Sequence, residues 1–308
     1  MMDTPHIPVL LDEVLNSFAQ VKPGYFVDCT LGYGGHSIEI LNHHSELQLI
    51  GIDRDDEALD FSRQRLQSFS DRSTFIKGDF ASVLPTLDKF RITALLADFG
   101  VSSLQLDKTD RGFGFDSNAL DMRMDRSKGP SAYDIVNNYS ADQLSMIFRE
   151  YGEIRASDKL ADAIIAARIS KPITSGSELS TIAKQNIKSH KKIHPATLMF
   201  QAIRIEVNDE LGQIKGLLDA LEALRPSGAV ISLITFHSLE DRLVKQRFRQ
   251  WSKSCICDPS AIRCTCGNNH SLGTILTRKP IVASNEEIRT NPRSRSAKLR
   301  IFRFKDQM

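Results

Sequence analysis

The sequence predicts an α/β fold in which a parallel sheet, covered by helices, is broken by an inserted helical domain. Three observations carry this expectation. Short β-rich runs alternate with helical patterns through the first hundred residues. The next strongly apolar β run, 229–236, starts about 130 residues after the fourth, far more than a crossover between parallel strands needs. Most of that gap follows helical spacing rather than β alternation.

Taken in order, Pro23-Gly24 opens the first run, Tyr25-Phe26-Val27, which stops in a glycine-rich turn. The second run, 49–52, ends at Asp53. Ala58, Leu59, Leu66 and Phe69 then recur at helical spacing, and 74–76 and 92–97 supply strands three and four. In the gap, helices are expected over 141–148, 158–169, 177–187 and 195–207. The last has Pro195 in its first turn, where a missing N–H leaves no bond unmade. A helix over 211–224, the 229–236 strand, a helix from Leu239 and a closing pair near 274–277 and 299–304 complete the sheet. The expected division is a discontinuous core, 1–105 and 201–308, around an insert of 106–200.

With 41% hydrophobic and 25% charged residues, the chain excludes long disorder, collagen-like repeats and coiled coil. Lys+Arg minus Asp+Glu is 40 − 38 = +2, so bulk charge neither announces nor forbids a polyanionic partner. No apolar run approaches about 18 residues, and the N-terminus carries Asp3, Pro5 and Pro8 instead of a basic then apolar leader. A cytoplasmic protein with no membrane partner is expected.

The turn after strand one reads Asp28-Cys29-Thr30-Leu31-Gly32-Tyr33-Gly34-Gly35-His36-Ser37. Glycines let the backbone approach a ligand, and the following helix offers free N–H groups. A dinucleotide fingerprint requires a third glycine, and position 37 is Ser, which weakens a nicotinamide reading. Asp53 lies 53 − 34 = 19 residues after Gly34, close to the offset at which a carboxylate accepts ribose hydroxyls of an adenosine cofactor. Asp79-Phe80 ends strand three, where an aromatic ring can flank adenine, and Asp98 ends strand four. Asp and Gly are also ordinary turn residues. Four consecutive strand ends bearing Asp28, Asp53, Asp79 and Asp98, without a P-loop, suit S-adenosylmethionine, which has an adenosine and a sulfonium but no phosphate.

Several longer motifs resemble the bacterial ribosomal RNA small subunit methyltransferase H family. They are His6-x-Pro8-Val9-Leu10-Leu11-x-Glu13, the Gly34-Gly35-His36-Ser37 turn, Asp98-Phe99-Gly100-Val101-Ser102-Ser103-x-Gln105 and Arg111-Gly112-Phe113-Gly114-Phe115. Downstream come Leu120 to Asp125, His194-Pro195-Ala196-Thr197, Phe236-His237-Ser238-Leu239-Glu240-Asp241-Arg242 and Asn291 to Ser296, in the family's order. The resemblance implies a class I S-adenosylmethionine-dependent methyltransferase, Rossmann-like, with a helical insert. It further implies methyl transfer to the exocyclic N4 of a cytosine in the decoding region of 16S rRNA. Carried over residue by residue, cofactor contacts fall on Gly34, Gly35, His36, Asp53, Phe80, Asp98 and Gln105, the last on resemblance alone. The RNA partner would be free 16S rRNA or the small ribosomal subunit. The sequence leaves oligomeric state open, a homodimer included.

Methyl transfer from a sulfonium calls for positioning and electrostatics and needs no metal. The amino lone pair of cytosine is delocalised into its ring, so an acceptor facing the N–H helps localise it and later receives the proton. Asp98 stands where such a group belongs, though it also reads as a simple cap or turn residue, and the proton acceptor itself stays unassigned. His237, at a strand's carboxyl end, is a substrate candidate; Ser238 followed by Asp241 reads as a capping box for the next helix. Seven basic and no acidic residues fall between Arg289 and Lys305. Arg293 and Arg295, in a Pro/Ser loop, are the RNA candidates there, and Lys188, Lys191 and Lys192 beside His190 and His194 form a second cluster. Arg300, Arg303 and Lys305 read instead as solvated charges on an edge strand. The target base must be unstacked to reach a pocket, for which the helical insert is a suitable second wall.

Cys255-x-Cys257 and Cys264-x-Cys266 hold enough thiols for tetrahedral zinc, but the C-x-C spacing favours reduced loop thiols, and no metal is assigned. Cys29 reads as a small buried hydrophobe. Two competing classes remain. A nicotinamide oxidoreductase should have the missing glycine, and a zinc-stabilised RNA-binding protein without activity would leave the strand-end acids without purpose.

Overall fold

The strands are near-continuous apolar runs because both faces of the sheet are covered, the pattern expected of parallel strands joined by helices. The computed structural model describes residues 7–101, 108–187, 194, 196–258, 260–261 and 263–307. Strands β1 (Gly24–Asp28), β2 (Leu47–Asp53), β3 (Ser73–Lys77), β4 (Ile92–Asp98), β5 (Val230–Thr235), β6 (Gly273–Ile275), β7 (Ile281–Val282) and β8 (Lys298–Phe304) form one sheet. Its order is β3-β2-β1-β4-β5-β8-β6, with β7 also on β8. The pairs from β3 to β5 are parallel, with Val27 opposite both Ile50 and Leu95, and β8 runs antiparallel to β5. The expected strands and helices are found within two residues of their expected ends, except that the helical run through Phe69 ends as an α-helix at Arg65 and continues as a 3₁₀ segment, Gln67–Arg72.

The chain divides into two compact units, 1–100 with 212–308, and 101–211. In the first, period-two alternation splits the strand residues between two cores. Phe26, Leu49, Leu96 and Ile234 join helices α1 (Leu11–Phe18) and α2 (Gly35–His43) on one face. Val27, Ile50, Leu95 and Leu233 join α10 (Glu210–Leu224) and α11 (Ser238–Trp251) on the other. That second core ends in a knot of Phe248, Trp251, Phe302 and Phe304, with ring centroids 5.2–5.5 Å apart. The indole N–H of Trp251 donates to Glu222 at 2.9 Å, which satisfies the only polar atom of a fully buried ring.

Helices α3 (Asp56–Arg65) and α4 (Phe80–Val83) follow β2 and β3, each capped by an aspartate, Asp55 and Asp79. The second unit holds α5 (Ala132–Asn138), α6 (Ala141–Glu150), α7 (Ser157–Ser170), α8 (Gly176–Asn186) and α9 (Ala196–Asn208). Ser131, Ser140 and Ser175 start three of them with capping boxes. The expected return to the sheet at 201 falls inside α9. Ala196, Met199, Ala202 and Ile203 are all buried in the second unit's core, so one helix face belongs to one core throughout. A last short helix, α12 (Asn285–Thr290), precedes β8.

Two local expectations are corrected. β8 is not an edge strand but lies between β5 and the β6–β7 side, and Arg300 is buried, 2.6 Å from Asp241. The cap of α11 is His237, not Ser238; Glu240 accepts from the main-chain N–H of His237, and Asp241 is taken by Arg300. No helix among the described residues is long and apolar enough to cross a membrane.

Candidate functional site at the strand ends

The sheet order reverses between β1 and β4, and open α/β sheets bind ligands outside the carboxyl ends of strands at such a switch point. Both strands there end in aspartate, Asp28 and Asp98. The turn after β1 continues the pairing past the strand ends, with Leu31 N–H donating to Ile52 and Cys29 N–H to Leu96. Gly32 and Gly34 adopt φ of 52° and 67°, so the main chain rather than side chains lines this turn. Asp53 holds it: one carboxylate oxygen accepts from Gly32 N–H at 2.8 Å and the other from Asp55 N–H at 2.9 Å. Each oxygen keeps a second lone pair, enough for an additional hydroxyl donor.

Gly35 begins α2 against Pro8, and a Cβ there would meet the proline ring at 2.8 Å. The ring of His36 is buried, with Nε2 2.9 Å from the Val9 carbonyl, so it ties the N-terminal segment to the glycine turn. Phe80, after β3, packs on Phe99, after β4, with ring centroids 5.9 Å apart, while Asp79 caps α4. Gln105 lies outside the described residues, as do Lys188, His190, Lys191 and Lys192.

The electrostatic centre is a cluster of acids. Asp28 accepts from Ser37 Oγ at 2.6 Å and from Thr30 N–H at 3.1 Å. Burial outweighs these bonds and pushes its carboxyl up to about 6. The carboxyl of Asp98 is enclosed: its Oδ1 is buried and has no hydrogen-bond partner among the described residues. Burial first, then the charges of Asp28 and Glu240, push it up to about 8. Burial also raises Asp53, against the two main-chain bonds it accepts. Glu240 is fully buried. Its Oε2 accepts from Phe236 N–H at 2.7 Å, and its Oε1 lies 3.1 Å from His237 Nε2 without the alignment of a hydrogen bond.

Such a site is short of positive charge. Buried carboxylates that repel each other are stabilised by a cation, and an unpartnered acceptor oxygen by a donor. Sequence reasoning placed Asp98 and Asp53 at this locus but missed Glu240. Its spacing of three residues from His237 was the available signal, obscured by the competing Ser238–Asp241 pattern.

The RNA candidates Arg293 and Arg295 are exposed on a single 3₁₀ turn, Pro292–Ser296. That turn is fixed by buried Asn291, whose side-chain amide donates to Ile7 at 3.0 Å, and by Ser294, which donates to Asn291 at 2.8 Å.

A family model described as the MraW methylase family matches residues 3–305. A ribosomal RNA small subunit methyltransferase H of a Sulfurovum species is 67% identical over 304 residues, covering 99% of each chain. Proteins of the same description from a Nitratiruptor species and from Wolinella succinogenes are 58% and 55% identical, each covering 99% of this chain and 100% of the relative.

Proposed function

The chain belongs to the MraW methylase family, and we propose on that premise that it methylates the exocyclic N4 of a cytosine in the decoding region of 16S rRNA. It is an S-adenosylmethionine-dependent rRNA methyltransferase, with the sheet of class I methyltransferases. The observation that carries the site assignment is the buried Asp98 Oδ1, without a hydrogen-bond partner among the described residues, at the switch point of the sheet.

S-adenosylmethionine, when bound, supplies a methyl group already activated by its sulfonium charge. Asp53 is suited to the ribose hydroxyls through its remaining lone pairs, and Gly34, Gly35 and His36 shape the turn beside it. Phe80 and Gln105 complete the proposed cofactor contacts. Asp98 gains an ionised form beside a cation, and in that form can accept from the cytosine amino group. With donor and base bound, the positive charge would pass from the sulfonium to the methylated nitrogen, and Asp98 would be the group to take up the proton that nitrogen then loses, its burial favouring the protonated carboxyl afterwards. His237 is proposed to meet the base, and Arg293 with Arg295 the phosphates of the RNA. The reaction is assigned to the cytoplasm.

The test is single-turnover methylation of small-subunit rRNA with labelled donor at saturating concentration, followed by mass mapping of the modified nucleotide. The expected result is one N4-methylated cytosine, with Asp98→Asn slowed at least about a hundredfold, the lower range for a general acid-base group. Label on another atom, or a wild-type rate in Asp98→Asn, overturns the assignment.

A further inference from the structure

Between α11 and β6, over 252–272, no regular element occurs among the described residues, and of these only Leu272 packs against the core. The base of this loop is closed by Leu272 N–H donating to Trp251 at 2.7 Å and His270 N–H to Ser254 at 2.9 Å. Beyond that base the side chains are mostly exposed, Ile256 among them, so no apolar burial gives the loop a shape. Four cysteines meet there instead.

All four Sγ atoms lie within 4.8 Å of one another. Cys255 and Cys264 are 3.6 Å apart, Cys264 and Cys266 3.6 Å, and Cys266 and Cys255 3.7 Å. Four sulfurs at about 2.3 Å from a tetrahedral zinc ion stand about 3.8 Å apart, whereas a disulfide brings two to about 2.05 Å. These three of the six edges match the tetrahedron, and the Cys257 sulfur lies within 4.8 Å of the other three. The main chain also turns its donors onto the sulfurs: Ile256 N–H to Cys266 at 3.4 Å and Thr265 N–H to Cys257 at 3.3 Å. Gly267 and Asn268, with φ of 83° and 54°, fold the chain back behind Cys266. Each C-x-C pair thus sits in a turn whose amide dipoles favour thiolate, as the outer hydrogen bonds around a bound metal do for its ligands. The ring of His270 is committed to the Cys266 carbonyl at 2.7 Å and holds the second turn rather than supplying a ligand.

We propose that Cys255, Cys257, Cys264 and Cys266 bind one zinc ion, and that this ion is the core of the 252–272 loop. Four protein sulfurs fill a tetrahedral shell, so the site is closed and structural and takes no part in methyl transfer. It replaces the sequence-based preference for reduced loop thiols. The reason is tertiary: the C-x-C spacing differs from the commoner C-x₂-C, but the two turns face each other closely enough to compensate.

The experiment uses the full chain, expressed without a metal-affinity tag and purified without chelator. Elemental analysis is expected to find close to one zinc per chain, and a mercurial to release it in step with the loss of four thiolates. Cobalt substitution should give the intense d–d and thiolate charge-transfer bands of a tetrahedral four-sulfur site. Cys257→Ser and Cys266→Ser should each weaken metal retention against a chromogenic chelator at least tenfold, while binding of S-adenosylmethionine persists. Metal-free wild-type protein with four freely reacting thiols, two disulfides by mass spectrometry, or stoichiometric iron in place of zinc would each overturn the proposal. Because the main readouts are metal content and spectra, they stand or fall separately from the methylation assay.

Discussion

Asp98 gives the sharpest prediction, because its raised carboxyl makes donor binding a proton-linked event. With the group pushed up to about 8, roughly 90% of it is protonated at pH 7 before donor arrives. If the bound cation requires the carboxylate, each donor molecule bound at pH 7 displaces about 0.9 proton. Affinity should then strengthen as pH rises, by about fiftyfold between pH 6 and pH 8, and level off above. Isothermal calorimetry in buffers of different ionisation enthalpy reads the proton count, and a titration series reads the pH slope. Asp98→Asn should abolish nearly all of both. The demethylated product, which lacks the sulfonium, should release fewer protons than the donor. Stability of the unliganded protein moves the opposite way. The folded carboxyl lies above its unfolded value of 3.8, so the folded state holds a proton that the unfolded chain loses, and stability falls as pH rises from about 4 to about 8. Unliganded Asp98→Asn should therefore be more stable than wild type at pH 8, by up to about 5 kcal/mol. A wild-type protein that binds donor with no proton release and equal affinity at pH 6 and pH 8 would refute the reasoning.

Two further outcomes are expected. Asp241→Ala strips buried Arg300 of its partner, 2.6 Å away, and should cost about 3–5 kcal/mol in denaturant unfolding; a loss under about 1 kcal/mol would mean that the guanidinium reaches water. Arg293→Ala combined with Arg295→Ala should lower the slope of log binding against log salt by about 1.4–1.8 for small-subunit RNA, and an unchanged slope would remove this turn from the interface.

The strands and most helices were legible because their cause is local. Apolar residues at period two or period 3.6 fix which face of a segment is buried, and Asp28, Asp53 and Asp98 stood out because each ends such a segment. What lay beyond reach depended on which segments become neighbours. Nothing near position 300 in the sequence says that β8 pairs with β5 on one side and with β6 and β7 on the other, which turns Arg300 from a solvated charge into a buried one. Only tertiary packing lets the charge of Glu240, in the helix after β5, act on Asp98 at the end of β4, a coupling that falls off with distance in space rather than along the chain. Residue order thus determined the layers and the acids that rim them. The fold decided which acids are desolvated together, since electrostatic energy depends on the medium around a charge, and that medium is made by residues far away in sequence.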